Sequence, residues 1–197
     1  MPRLSRSFYA RPTRQLARAL LGCRLVRWVA GQRVSGIIVE TEAYIGETDL
    51  ACHARFGRTA RNAVMYDRPG LAYVYFTYGM HWMLNVVSEA AGFPAAVLIR
   101  AIEPVEGLEQ MMNYRHIRSI HALTSGPAKL CQALRIDQAL NGVDLTARHG
   151  ELWLEPDRSI AARSIARGPR IGLPNTPEPW RSQPWRYWVK DNPFVSK

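Results

Sequence analysis

Lysine is nearly missing from this 197-residue chain: Lys129, Lys190 and Lys197 are the only three. None stands in an apolar run that would arm it as a nucleophile, so Schiff-base chemistry is not expected. Cysteine is as sparse. Cys23, Cys52 and Cys131 are odd in number and far apart, and no Cys-x-x-Cys pair or Cys/His cluster accompanies them. That argues against a disulfide framework and a zinc site, and fits a reducing compartment. Long apolar runs are absent too. Arg18, Arg24 and Arg27 interrupt the apolar stretch near the N-terminus, which excludes a signal h-region or a spanning helix there. There is no Walker A loop, dinucleotide fingerprint, HExxH pattern, GxSxG elbow or zinc-deaminase signature. No internal repeat or long linker is visible. The expectation is an intracellular monomer without membrane attachment, metal or organic cofactor.

What is abundant is arginine. The chain has 23 Arg, and 26 basic against 16 acidic side chains leave a formal charge of +10. Arg binds phosphate bidentately and stacks its plane on bases, so an anionic partner follows, with nucleic acid ahead of a membrane surface. The competing reading of such a balance is plain genome composition. Hydrophobic residues at 47% and charged residues at 21% mark a globular chain, and the length suits one domain over residues 1–197.

Periodicity predicts a short amphipathic helix over 13–22, stopped by Gly22, and strands over 23–29 and 34–44. Residues 45–70 read as a long functional loop. The β-like runs 71–77 and 82–88 flank Tyr78-Gly79-Met80-His81, a hairpin with Tyr78 at its tip. A buried strand follows over 95–102, a helix from Glu103 to Tyr114, a helix over 127–135 with Pro127 in its first turn, and strands near 151–154 and 185–190. The fold class expected is α+β, a single mixed domain on a curved, mostly antiparallel sheet with surrounding helices.

Two charges stand out against this pattern. Glu42 lies on a strand whose neighbours are mostly apolar or small, and Glu40 shares its face. A buried carboxylate needs a partner. A strand-end carboxylate facing water is an equal reading, and one of the two acids is free to be structural. Arg100 sits inside VLIRAI and cannot discharge by losing a proton. An acid and a base in separate apolar strands invite pairing, and such an Arg keeps a carboxylate ionised, as a general base requires. A structural ion pair without chemistry is the competing reading. Tyr44, His53, Tyr73, Tyr75 and Tyr78 form an aromatic set suited to stacking on a base, or to ordinary packing, which suits Tyr73 best. Asn85 is polar among apolar neighbours and needs partners. Arg55, Arg58 and Arg61 with Asn62 fill the loop after His53, where phosphate contacts or plain solvation both fit. Lys129, near a helix start, is a further phosphate candidate.

The blocks LARALLGCRLVR, VETEAYIGETDLACH, GRTARNAVMY, PGLAYVYFTYGMHWMLNVV, VLIRAIEPVEGLE, SGPAKLCQAL and NPFVS span nearly the whole chain. In order and spacing they resemble the alkyladenine (3-methyladenine) DNA glycosylase family. The resemblance implies a glycosylase of base excision repair, in the cytoplasm or nucleoid, acting on double-stranded DNA with a damaged purine. It implies Glu42 as general base for the attacking water and Arg100 as its companion, with a main-chain carbonyl near Ile171 also meeting that water. Tyr44, His53 and Tyr75 would wall the base pocket, and Asn85 would crowd a purine 2-amino group. Tyr78 would intercalate from a protruding hairpin, with Met80 and Met65 packed near it. Cys52 departs from the family pattern, where a small residue is common. The second reading is a non-catalytic DNA-damage-binding protein with the same pocket. A third, an RNA-binding domain, lacks the RNP-like or RGG segments it calls for.

Overall fold

The computed structural model describes residues 2–196. Two short helices, α1 (Arg6–Tyr9) and α2 (Thr13–Ala19), lead into β1 (Arg24–Val29) and β2 (Gln32–Ile45). A long loop holding two 3-10 turns, His53–Phe56 and Ala63–Tyr66, connects to the hairpin β3 (Ala72–Thr77) and β4 (His81–Val87). Then come β5 (Ala95–Glu106), α3 (Leu108–Arg115), α4 (Pro127–Ala133), β6 (Leu152–Glu155), β7 (Ile165–Gly168) and β8 (Arg186–Val189). The strands form one open eight-stranded sheet: six follow the order β3-β4-β5-β2-β1-β6, β8 branches off β2 and β7 pairs with β8, and every described strand pairing is antiparallel. The molecule is thus an α+β domain on an antiparallel sheet.

β2 organises the site. It is 14 residues long, rich in β-branched residues, and buried along most of its length. β5 lies along one side of it from Ser35 to Ile45, while β1 pairs with its first half and β8 with Glu40–Glu42. The β2–β5 register slips three times, once between Ser35 and Gly36 and twice around Glu40. Ile38 faces Ile102 and Glu40 faces Ala101, then Thr41 faces Ile99, so Val39 and Arg100 have no opposite residue. Such bulges re-aim side chains, and this one turns Arg100 to the face that carries Glu40 and Glu42.

The main apolar cluster gathers Leu16 and Leu20 at α2, Leu25, Ile38, Val97 and Ile99 from the sheet, and Met111 and Leu130 from the other helices. A smaller cluster around Cys52, Met65, Tyr73 and Val87 underlies the long loop.

The sequence-based elements need three adjustments. The helix expected from Glu103 begins at Leu108, because β5 stays paired to β2 through Pro104 and Glu106. Gly107, at φ 72°, makes the break; a Cβ there would lie 2.4 Å from Val34 Cγ1. The loop at 45–70 contains its two 3-10 turns rather than being irregular throughout. β7 had no sequence signal: IARG is short and only partly buried, and it is a strand because β8 pairs with it.

Candidate active site

Glu42 is fully buried, and each of its carboxylate oxygens has a partner. Oε1 accepts from the backbone N–H of Ile171 at 2.7 Å and lies 3.2 Å from Arg100 Nη1, and Oε2 accepts from the Tyr44 hydroxyl at 2.8 Å. Burial raises the pKa of Glu42, while Arg100, the Ile171 amide and the Tyr44 hydroxyl pull it down, and Glu40 pushes the other way. Glu40 does different work. It too is fully buried, and it accepts from Arg100 Nε at 3.0 Å, from Arg186 Nε at 2.6 Å, and from the Ser196 N–H and hydroxyl at 2.7 and 2.9 Å. It ties β2 and β5 to β8 and the C-terminal segment, whereas Glu42 meets groups that face a cavity.

That cavity has a volume of about 280 Å³. Tyr44, Arg100 and Ile171, all three partners of Glu42, line it, together with His53, Tyr75 and Asn85. Glu42 itself stands behind this wall. His53 Nδ1 lies 2.8 Å from the Tyr73 hydroxyl, and the His53 ring meets Tyr75 edge-on with centroids 4.4 Å apart. His53 is exposed overall, while one side of its ring packs against Tyr73 and Tyr75. Desolvation, with Arg61 and Arg55 nearby, brings its pKa down to about 4, so the imidazole is neutral at physiological pH. Asn85, on β4, donates to the Tyr73 carbonyl at 3.1 Å and sits opposite Leu98 of β5. At the cavity mouth Tyr78 is 73% exposed at the hairpin tip. Its φ is 53°, followed by Gly79 at 67°. A bulky residue in the left-handed region is strained, and such strain collects at functional sites.

This chain matches the methylpurine-DNA glycosylase family model over residues 7–193. Three relatives, each named "Putative 3-methyladenine DNA glycosylase", accompany that match. The one from Methanocella arvoryzae is 52% identical, covering 100% of this chain and 97% of its own length. Those from Alkaliphilus oremlandii and Myxococcus xanthus are 45% and 48% identical, covering 99% and 98% of this chain and 99% and 93% of their own.

The chain belongs to the methylpurine-DNA glycosylase family.

It is therefore a DNA glycosylase, a DNA-repair hydrolase acting on N-glycosyl bonds, and its substrate is DNA. The structure of this glycosylase gathers Glu42, Arg100, Tyr44, His53, Tyr75, Asn85 and Ile171 in and behind one cavity wall. Ile171 meets Glu42 through its amide N–H. Met80 is 65% exposed beside Tyr78. Met65 is 2% exposed, lines the cavity together with Tyr78 and packs with Tyr73 in the smaller cluster. Asn62, expected at phosphate, is instead turned into the loop. It is 1% exposed, its amide donates to the His53 and Gly57 carbonyls, and its oxygen accepts from Thr59 N–H. A polar residue in an Arg-rich loop looks like a DNA contact until the loop closes over it. Arg58 and Arg61 stay exposed. Arg61 also donates to the Phe76 carbonyl at 2.8 Å and lies over the Tyr75 ring, which braces the loop against the hairpin. Lys129 is half-buried in the first turn of α4, whose Pro127 lines the cavity.

Sequence reasoning missed three things. Tyr73, read as packing, holds His53 through its hydroxyl; nothing in an alternating strand reveals that contact. Cys52 is buried beneath the cavity, where its Sγ accepts from Ala54 N–H and caps the turn that carries His53. Burial pushes its thiol up to about 12, so it is inert. The third is the buried pair Arg170–Asp49, whose members are far apart in sequence and carry no periodic signal.

Proposed function

We propose that this glycosylase extrudes an alkylated or deaminated purine from duplex DNA into the aromatic cavity. There it hydrolyses the N-glycosidic bond with a water activated by Glu42, leaving an abasic site. The observation that carries this reading is a fully buried carboxylate, Glu42, whose three partners Tyr44, Arg100 and Ile171 all line the cavity. A carboxylate at that wall stabilises positive charge developing on the sugar and accepts the proton of the water that attacks it. Arg100 keeps it ionised. Base flipping is the general strategy of glycosylases, and it costs least for a damaged or mispaired base. The Tyr44 and Tyr75 faces favour a cationic alkylated base, and a neutral His53 adds no charge to repel it. Asn85 narrows the cavity against a 2-amino group. Exposed Arg58 and Arg61, with Lys129, contact phosphates.

Single-turnover base release tests this reading. The panel is duplexes with one hypoxanthine or ethenoadenine, alongside methylated duplex DNA releasing 3-methyladenine and 7-methylguanine. Release from at least one substrate is the expected result. Tight lesion binding with no release from any would replace the enzyme by a damage-binding protein.

Tyr78 is the wedge in this scheme, filling the stack left by the extruded nucleotide. Tyr78→Ala is expected to slow excision from duplex by about 10²-fold, since a few kcal/mol of unstacking loses its compensation. The same lesion in a single strand should suffer little. Equal losses on both would remove the wedge role.

A further inference from the structure

The amide that meets Glu42 belongs to a stretch with no regular structure. Residues 169–185, between β7 and β8, lie outside every strand and helix, so no sheet ladder sets the position of the Ile171 N–H. One residue earlier, Arg170 is wholly buried as a side chain against an equally buried Asp49, with Nη1–Oδ2 at 2.6 Å and Nη2–Oδ1 at 2.9 Å. This is the bidentate fork that fixes a guanidinium in one orientation. The second N–H of each Nη reaches the Ala43 carbonyl at 3.0 Å and the Trp180 carbonyl at 3.2 Å, while Nε has no partner among the described residues. The guanidinium plane also lies over the Tyr44 ring at 4.7 Å and near Trp185 at 5.0 Å.

Two of these anchors, Ala43 and Asp49, lead to the active site. Ala43 stands between Glu42 and Tyr44 on β2. Asp49 accepts from the N–H groups of Ile45 and Ala51, so it shapes the turn that delivers His53. From this geometry we infer that Arg170 and Asp49 are positioning residues: their buried pair sets the Ile171 amide on Glu42 and seats Tyr44 in the cavity wall. The inference rests on the general-base reading of Glu42.

The charged and titratable groups around Glu42 are Arg100 from β5, Glu40 and Tyr44 from β2, Tyr75 from β3, and Arg170 itself. Arg186 of β8 sits opposite Glu42 but is spent on Glu40. Of the groups that lower the pKa of Glu42, the Ile171 amide is the one placed by irregular chain alone. If the pair lets go, the amide drifts, the carboxylate loses a donor and takes up its proton at higher pH. A group that only held the fold together would slow the enzyme equally at every pH.

The test is a pH–rate profile by single turnover, on the duplex that the wild type cleaves fastest, for Arg170→Lys and Asp49→Asn. Lys keeps the charge but loses the fork, and Asn keeps the shape but loses the charge. Circular dichroism and a cooperative melt establish folding. The expected result is an acid limb moved up by about one pH unit, or about tenfold slower release below it, with rates converging on wild type at alkaline pH. Arg170→Lys should retain more of the wild-type profile than Asp49→Asn. A uniform loss at all pH values, an unmoved limb, or failure of both variants to fold would overturn the positioning role. Glu42→Gln is run in parallel. If it still releases base, the general-base reading fails; if it is dead while the limbs of the other two are unmoved, only the present inference does.

Discussion

Glu42→Gln is expected to abolish base release, by about 10²–10⁴-fold in the single-turnover rate, while lesion binding and the fold persist. The replacement is isosteric. Its carbonyl oxygen still accepts from the Ile171 amide, and its NH₂ faces the Tyr44 hydroxyl, which has lone pairs to receive it. What disappears is the ability to take a proton from water and the negative charge beside the sugar. The pH behaviour follows from the direction of the shift. Burial raises the Glu42 pKa, so its ionised form is lost as pH falls through a value above the ordinary Glu range. Wild-type release should show an acid limb there, and the residual rate of the Gln variant should show none. Stability runs the opposite way. A carboxylate with a raised folded-state pKa stabilises the fold below its unfolded pKa and loses that contribution as pH rises through the folded one. Above its folded-state pKa the ionised Glu42 therefore costs stability, and the Gln variant should melt no lower than wild type there. A variant that releases base within threefold of the wild-type rate would sink the assignment.

Arg100→Ala should damage the fold as well as the chemistry. Arg100 bridges two fully buried acids, with Nε on Glu40 and Nη1 on Glu42, and its Nη2 donates to Ser196. Truncation leaves Glu42 with no cation in ion-pair contact and Glu40 with Arg186 alone. Leaving a buried charge uncompensated costs about 3–5 kcal/mol, which for a chain of this size lowers the melting temperature by about 6–20 °C. The pKa of Glu42 also rises further, so at neutral pH less of it is ionised and release slows beyond what the instability explains. Arg100→Lys should fall in between, because one ammonium cannot serve two carboxylates as a fork does. Thermal melts beside single-turnover rates check this. An Ala variant melting within about 3 °C of wild type would mean that the two acids are not held by Arg100.

Part of this site was legible because physics forbids cheap exceptions. A Glu in a strand of apolar and small residues and an Arg in VLIRAI need partners, and each is in fact buried and paired. Tyr78-Gly79 between two β-like runs marks a hairpin tip, and a hairpin forms there. Other features were hidden for equally physical reasons. Alternation along a strand shows which residues share a face, but not where the register slips. The slip at Val39 and Arg100 is what brings Arg100 within reach of both acids. Asn62 reads as a phosphate contact from the composition of its loop, which does not reveal which side of the loop closes inward, and it is buried.

The sequence alone determined the antiparallel α+β plan, the family through motifs in order along the chain, and the identity of the acid and base that had to find each other. These follow from local periodicity and from the high cost of burying unpaired charge. Only the tertiary structure decided which carboxylate faces the cavity wall and which ties the sheet together, that Ile171 offers its amide, and that Arg170 and Asp49 meet. Each depends on contacts between segments far apart in the chain, where a one-residue slip in register changes every partner and leaves the local pattern untouched.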